Sequence, residues 1–115
     1  MYDLEERTLK LAMAVRNFVH LLPKTIANYE DAKQLVRSSG SVGANYIEAN
    51  EALSKKDFLL RIRISRKEAK ETIYWLNIIL NTNNLDQYTK TSCEYLIKET
   101  GEIRNILSAI LKKSV

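Results

Sequence analysis

Arg61, Arg63, Arg66, Lys67 and Lys70 fall within ten residues of one another. Cations at that density suit one kind of chemistry, the holding of phosphate oxygens. Arg63, Lys67 and Lys70 share one helical face, and Lys56 lies near its line. Residues 55–83 sum to +4, whereas 1–23 sum to 0, 24–54 to −1 and 84–115 to +1. The charge is therefore local, which permits RNA or DNA as a partner. The alternative is a solvated helix face, partly neutralised by Asp57, Glu68 and Glu71. Trp75, Tyr74 and Phe58 have core or contact spacing, so they read as packing residues rather than base-stacking platforms.

A second polar set lies upstream. Arg37, Ser41, Asn45 and Glu48 recur in steps of three and four, which puts them on one side of a helix. A turn near Ser54 would set Asn45 opposite Arg63, Ser41 opposite Lys67, and Arg37 opposite Glu71. This predicts a buried or interfacial network that fixes helix register and subunit arrangement. Ordinary solvated charges are the competing reading.

Catalytic and metal chemistry find little to work with. The chain has one His and one Cys, too few for a zinc site, and it lacks the paired Glu-x-x-His motifs of a di-iron bundle. No glycine-rich phosphate loop follows a strand. A nucleophile–base pair of Cys93 with His20 is the weaker reading. The stronger one makes Cys93 a small helix residue and His20 a partly exposed residue near a helix end. The expectation is a protein with no catalytic residues, no metal and no cofactor.

These residues need elements to position them. The 115 residues suit one domain, 1–115, with a real core. Three Gly and one Pro are too few for the turns of an all-β fold. Leu4, Leu11, Val15, Phe18, Val19 and Leu22 mark a first helix, with Asp3 as cap and Pro23 as stop. A second runs from about Tyr29 to Leu53, with Ala32, Leu35, Val36, Ser39, Val42, Gly43, Tyr46, Ile47, Ala49 and Asn50 on one side. It could break near Ser38–Gly40. The apolar spacing keeps phase across the glycines, which favours a continuous helix whose small residues admit a close neighbour.

Ser54 and Asp57 start a third helix. Its seam is Phe58, Ile62, Ser65, Ala69, Ile73 (or Thr72), Leu76 and Leu80. A second apolar line includes Leu60, Ile64, Trp75 and Ile79. Ile62 and Ile64 lie about 200° apart on a helix, so this line needs its own cover: another helix of the bundle or another subunit. Asp86 caps a fourth helix that runs to Leu111, with Tyr88, Ser92, Tyr95, Leu96, Glu99, Ile103, Ile106, Leu107 and Ile110 as its buried stripe. The pattern predicts an all-α, antiparallel up-down-up-down four-helix bundle. The N-terminus lacks the apolar core of a signal peptide, and polar residues interrupt every apolar run. The expected place is the cytoplasm, without membrane contact.

Arg37-Ser38, Ser41-Val42-Gly43-Ala44-Asn45, Glu48-Ala49, Ser54, Asp57-Phe58, Lys67-Glu68-Ala69, Glu71-Thr72 and Tyr74-Trp75-Leu76 stand in an order and spacing with a precedent. The chain resembles the four-helix-bundle family named after proteins encoded in 23S rRNA intervening sequences. Leu22-Pro23-Lys24 also fits, and the fourth helix matches in character. Ile47, beside the acidic Glu48, and Arg66 depart from the family pattern. The resemblance implies a ring, commonly a homopentamer, with no recognised catalytic activity. It also implies kinship with the accessory variability determinant of diversity-generating retroelements, a basic bundle that works with a reverse transcriptase and its RNA.

The resulting expectation is a non-enzymatic homo-oligomer associated with RNA or DNA through Arg61, Arg63, Arg66, Lys67 and Lys70. A protein-interaction adaptor that uses Leu60, Ile64, Trp75 and Ile79 is the rival.

Overall fold

A computed structural model describes residues 3–114. It contains α1 (Leu4–Val19), α2 (Ile26–Asn50), α3 (Lys55–Thr82) and α4 (Gln87–Ser114), with no strand among the described residues. Each start has a local cause. Side-chain oxygens of Asp3, Thr25, Ser54 and Asp86 accept from the backbone N–H three residues on, at 3.1, 3.1, 3.0 and 2.8 Å. The acceptor at Asp86 favours the charged carboxylate, so the Thr89 N–H holds its pKa below the ordinary value.

Three boundaries of the first two helices differ from the sequence reading, and α4 runs on to Ser114 instead of ending at Leu111. α1 ends three residues before Leu22, because Leu21 and Leu22 turn back to the carbonyls of Phe18 and Val19. α2 begins at Ile26 instead of Tyr29, since Thr25 supplies the cap. At its other end it stops at Asn50, and Leu53 lies fully exposed in the turn. α2 is unbroken through Gly40 and Gly43. Gly43 is buried against Thr8 of α1, which makes it the close-approach point of that helix pair.

The helices pack in cyclic order: α1 on α2, α2 on α3, α3 on α4, and α4 back on α1. Cross-helix pairs Asn45–Arg61, Val42–Ser65 and Arg37–Glu68 have one index rising as the other falls. The body measures 46 × 24 × 20 Å. Its long dimension is that of a 28-residue helix at about 1.5 Å per residue. Asn28 and Asn83 exchange amide hydrogen bonds of 2.8 and 2.9 Å, tying the start of α2 to the end of α3.

Leu4, Leu11, Val15, Leu35, Val42, Ile62, Ala69, Leu76, Ile103 and Leu107 form the apolar interior. α4 is rotated from its expected setting. Its buried seam is Thr89, Cys93, Leu96, Thr100, Ile103, Leu107 and Leu111. Tyr88 and Tyr95, expected inside, are 72% and 60% exposed. Small residues at 89, 93 and 100 let α4 sit close, and a tyrosine there would not fit so tight a seam. Ile47 and Asn50 of α2 are likewise exposed. At the 73-or-72 position of α3, Thr72 is the buried residue.

Candidate nucleic-acid interface

The groove between α3 and α4 is built by periodicity. Arg63, Arg66, Lys67 and Lys70 recur on α3 in steps of three, one and three, so they stay on its α4-facing and outer sides. Arg104 and Ser108, one turn apart on α4, complete the lining of a depression of about 550 Å³. Five cations line it and no carboxylate does. Among the described residues none of the five is in an ion pair, and Arg66 makes only a long contact of 3.5 Å to Ser108 Oγ. Cations gathered without counter-charge create a positive potential that a row of phosphates would satisfy.

Arg61 does not join them. Its guanidinium crosses to α2 and donates to Asn45 Oδ1 at 3.3 Å. Two residues before Arg63 it lies on another side of the helix. Arg104 takes its place; in sequence Arg104 is an isolated arginine forty residues away, with no signal of its own.

The polar set of α2 is partly brought together. Arg37 donates to both carboxylate oxygens of Glu68, at 3.1 and 3.2 Å, and to Glu71 at 3.4 Å. The hydrogen bond to Glu68 holds the Arg37 pKa above its ordinary value. Glu68, 8% exposed, is the principal partner that the sequence reading missed. Asn45 faces Arg61 instead of Arg63. Ser41 Oγ donates to the carbonyl of Arg37 in its own helix, at 2.9 Å, and does not reach Lys67. Glu48 is exposed and outside the network. Deeper in the same seam, Ser65 Oγ donates to the Val42 carbonyl at 2.7 Å, and Thr72 Oγ1 lies 2.9 Å from Ser38 Oγ. These hydroxyls satisfy each other or the backbone, so the α2–α3 seam carries small polar residues without loss.

The effect on the groove is electrostatic. Arg37 draws the two glutamates of α3 to the α2 side, away from Lys67 and Lys70. A similar clamp joins α1 to α4. Arg7 contacts Glu99 and Glu102, both at 2.7 Å. The Arg7 hydrogen bond holds the Glu99 carboxyl below its ordinary pKa.

The second apolar line of α3 separates into inside and outside. Ile79 is wholly buried in the core and cannot be a subunit contact. Trp75 is half-buried and packs on the core; its buried indole N–H has no acceptor among the described residues. Leu60 is 51% exposed and Ile64 half-buried. Tyr74, read as a packing residue, is 59% exposed. Its ring meets Trp75 edge to face, with centroids 5.1 Å apart.

Cys93 is buried and its Sγ contacts the Leu76 carbonyl at 3.5 Å. Burial pushes the thiol up to about 11, so it stays protonated at neutral pH. No helix among the described residues is long and apolar enough to cross a membrane.

The pattern of 23S rRNA-intervening sequence proteins matches residues 2–109. The chain belongs to that family. No curated protein matches it. A crystal structure from Bacteroides thetaiotaomicron, of a protein with unknown function from the S23 ribosomal protein family, has the same architecture. It is 30% identical, with a TM-score of 0.80 over 94% of this chain and 97% of that one. Family membership and the four-helix fold thus agree with the resemblance carried by residues 37–76.

Proposed function

We propose that this protein is a non-enzymatic, homo-oligomeric accessory or scaffold protein associated with RNA or DNA. The observation that supports it is the α3–α4 groove, where five cations gather and no carboxylate lines the wall. The family's name refers to ribosomal RNA, which is in keeping with a nucleic-acid partner. Phosphate contacts by Arg63, Arg66, Lys67, Lys70 and Arg104 would position a backbone without reading sequence. Binding would then weaken steeply with salt.

In this reading the protomer is an antiparallel up-down-up-down bundle, and five copies close into a cytoplasmic ring. Leu60 and Ile64 supply the subunit contact. Kinship with the retroelement accessory protein belongs to the same proposal. Symmetry would repeat the groove around the ring and convert modest affinity per site into avidity.

Light scattering at low and high salt, with and without mixed-sequence RNA, tests it. A multiple of the 13.3 kDa protomer mass that gains RNA at low salt and sheds it at high salt is expected. Absence of binding at low salt overturns the nucleic-acid reading, and a monomer overturns the ring.

Exposed apolar residues support a second reading, a protein-interaction adaptor. Leu21, Tyr88 and Tyr95 flank a groove of about 520 Å³ between α1 and α4. Reversing charge at Arg63 and Lys67 would leave an adaptor's function intact.

A further inference from the structure

The cationic line of α3 does not end in a cation. Arg63, Lys67, Lys70 and Tyr74 follow one another in steps of four, three and four on an unbroken helix. They therefore share its outer face. At about 1.5 Å per residue the line is about 16 Å long, with the aromatic ring about 6 Å beyond Lys70. Tyr74 is mostly exposed, and the edge contact with Trp75 braces its ring. The carboxylate in its neighbourhood, Glu71, is drawn aside by Arg37.

An exposed aromatic at the end of a row of phosphate-binding cations has a specific use. An unpaired base can leave its neighbours and stack on the ring while the phosphates beside it meet the lysines. A duplex keeps its base faces stacked inside and offers the ring nothing. We infer that Tyr74 is a base-stacking platform, and that the groove takes single-stranded nucleic acid. The inference rests on the nucleic-acid reading above and narrows it to one class of ligand.

The test is fluorescence anisotropy with the full chain. The probes are a labelled oligouridylate and oligothymidylate of about a dozen nucleotides, and a duplex of equal length. Wild type, Tyr74→Ala, Tyr74→Phe and Lys67→Ala are compared across a salt series, each after circular dichroism confirms its helix content. The wild type should bind both single strands more tightly than the duplex. Tyr74→Ala should lose about five- to a hundred-fold in affinity, with the slope of log K against log salt unchanged. Tyr74→Phe should bind like the wild type, because the ring and not the hydroxyl does the stacking. Lys67→Ala should instead reduce the slope by about 0.7.

If Tyr74→Ala binds the single strands as well as the wild type does, the stacking platform is overturned. Equal or tighter binding of the duplex overturns the single-strand assignment. In either case a reduced slope for Lys67→Ala leaves the phosphate-binding groove standing. Absence of binding by the wild type to all three probes overturns both readings together.

Discussion

Gly43 of α2 meets Thr8 of α1 so closely that a Cβ on the glycine would lie 2.7 Å from Thr8 Oγ1 and 3.0 Å from Thr8 Cβ. Thr8 cannot easily yield, because it is buried and its hydroxyl donates to the Leu4 carbonyl at 2.6 Å. Gly43→Ala should therefore destabilise the protein by about 1–3 kcal/mol through overpacking, despite alanine's better helix propensity. Gly101→Ala is the control. A Cβ there meets nothing within 4 Å, so the change should stabilise by about 0.5–1 kcal/mol. Urea unfolding of the two variants checks both signs. A stabilised Gly43→Ala would show that α1 can shift away freely.

The extent to which the sequence disclosed this molecule depends on the physics of each feature. The caps at Asp3, Ser54 and Asp86 were legible because a side-chain oxygen before an apolar-periodic run has few other uses. The α3 seam was legible for the same reason of strict spacing. The setting of α4 was not: its buried positions hold Thr89, Cys93 and Thr100, whereas the spacing of the large side chains pointed to Tyr88 and Tyr95, which are exposed. In the candidate site, Arg63, Arg66, Lys67 and Lys70 were found by charge density. Arg104 arrives by tertiary packing alone, and Arg61 is lost to Asn45 by the same cause. The opposition of Arg37 to Glu71 was foreseen from the turn near Ser54. Glu68, one turn earlier and more buried, is the stronger partner because the pairing is slightly out of the assumed register.

That pairing yields a stability prediction. Glu68 lies in a nearly closed site and accepts two hydrogen bonds from Arg37. Arg37→Ala should destabilise by about 1–2 kcal/mol, reduced from the buried-pair range because the arginine is half exposed. Arg37→Lys should recover little, since an ammonium cannot make the two-point contact. The double variant with Glu68→Ala should lose less than the sum of the single losses, because no carboxylate is left unpaired. Denaturant midpoints of the wild type, Arg37→Ala, Glu68→Ala and the double variant give the coupling, and strict additivity would mean that the pair contributes nothing.

The Arg7–Glu99 contact predicts a pH dependence. Glu99 is held below its ordinary value of 4.5 by Arg7. The folded protein therefore binds this proton less readily than the unfolded chain does. The contact's stabilisation is fully present above about pH 4.5 and is lost as pH falls through the lower folded-state value. Thermal melting between neutral pH and pH 3 should show a decline that Arg7→Gln makes shallower. Parallel curves for the two proteins would assign the acid sensitivity to other carboxylates.

The last prediction concerns assembly and separates residues that sequence alone had grouped. Leu60, Ile64, Trp75 and Ile79 read as one line, yet Leu60 is largely outside and Ile79 wholly inside. A charge at Leu60 meets solvent in an isolated protomer, so Leu60→Asp should leave the fold intact. If Leu60 and Ile64 form the subunit contact, the same change buries an unpaired carboxylate between copies and should dissociate the oligomer. Ile79→Asp places that carboxylate in the core and should unfold the chain whatever its assembly state. Light scattering paired with circular dichroism distinguishes these cases. A helical Leu60→Asp variant at protomer mass supports the contact. A Leu60→Asp variant with the wild-type oligomer mass moves the interface elsewhere on the surface, and the exposed Leu21, Tyr88 and Tyr95 edge of α1 and α4 becomes the next place to introduce a charge.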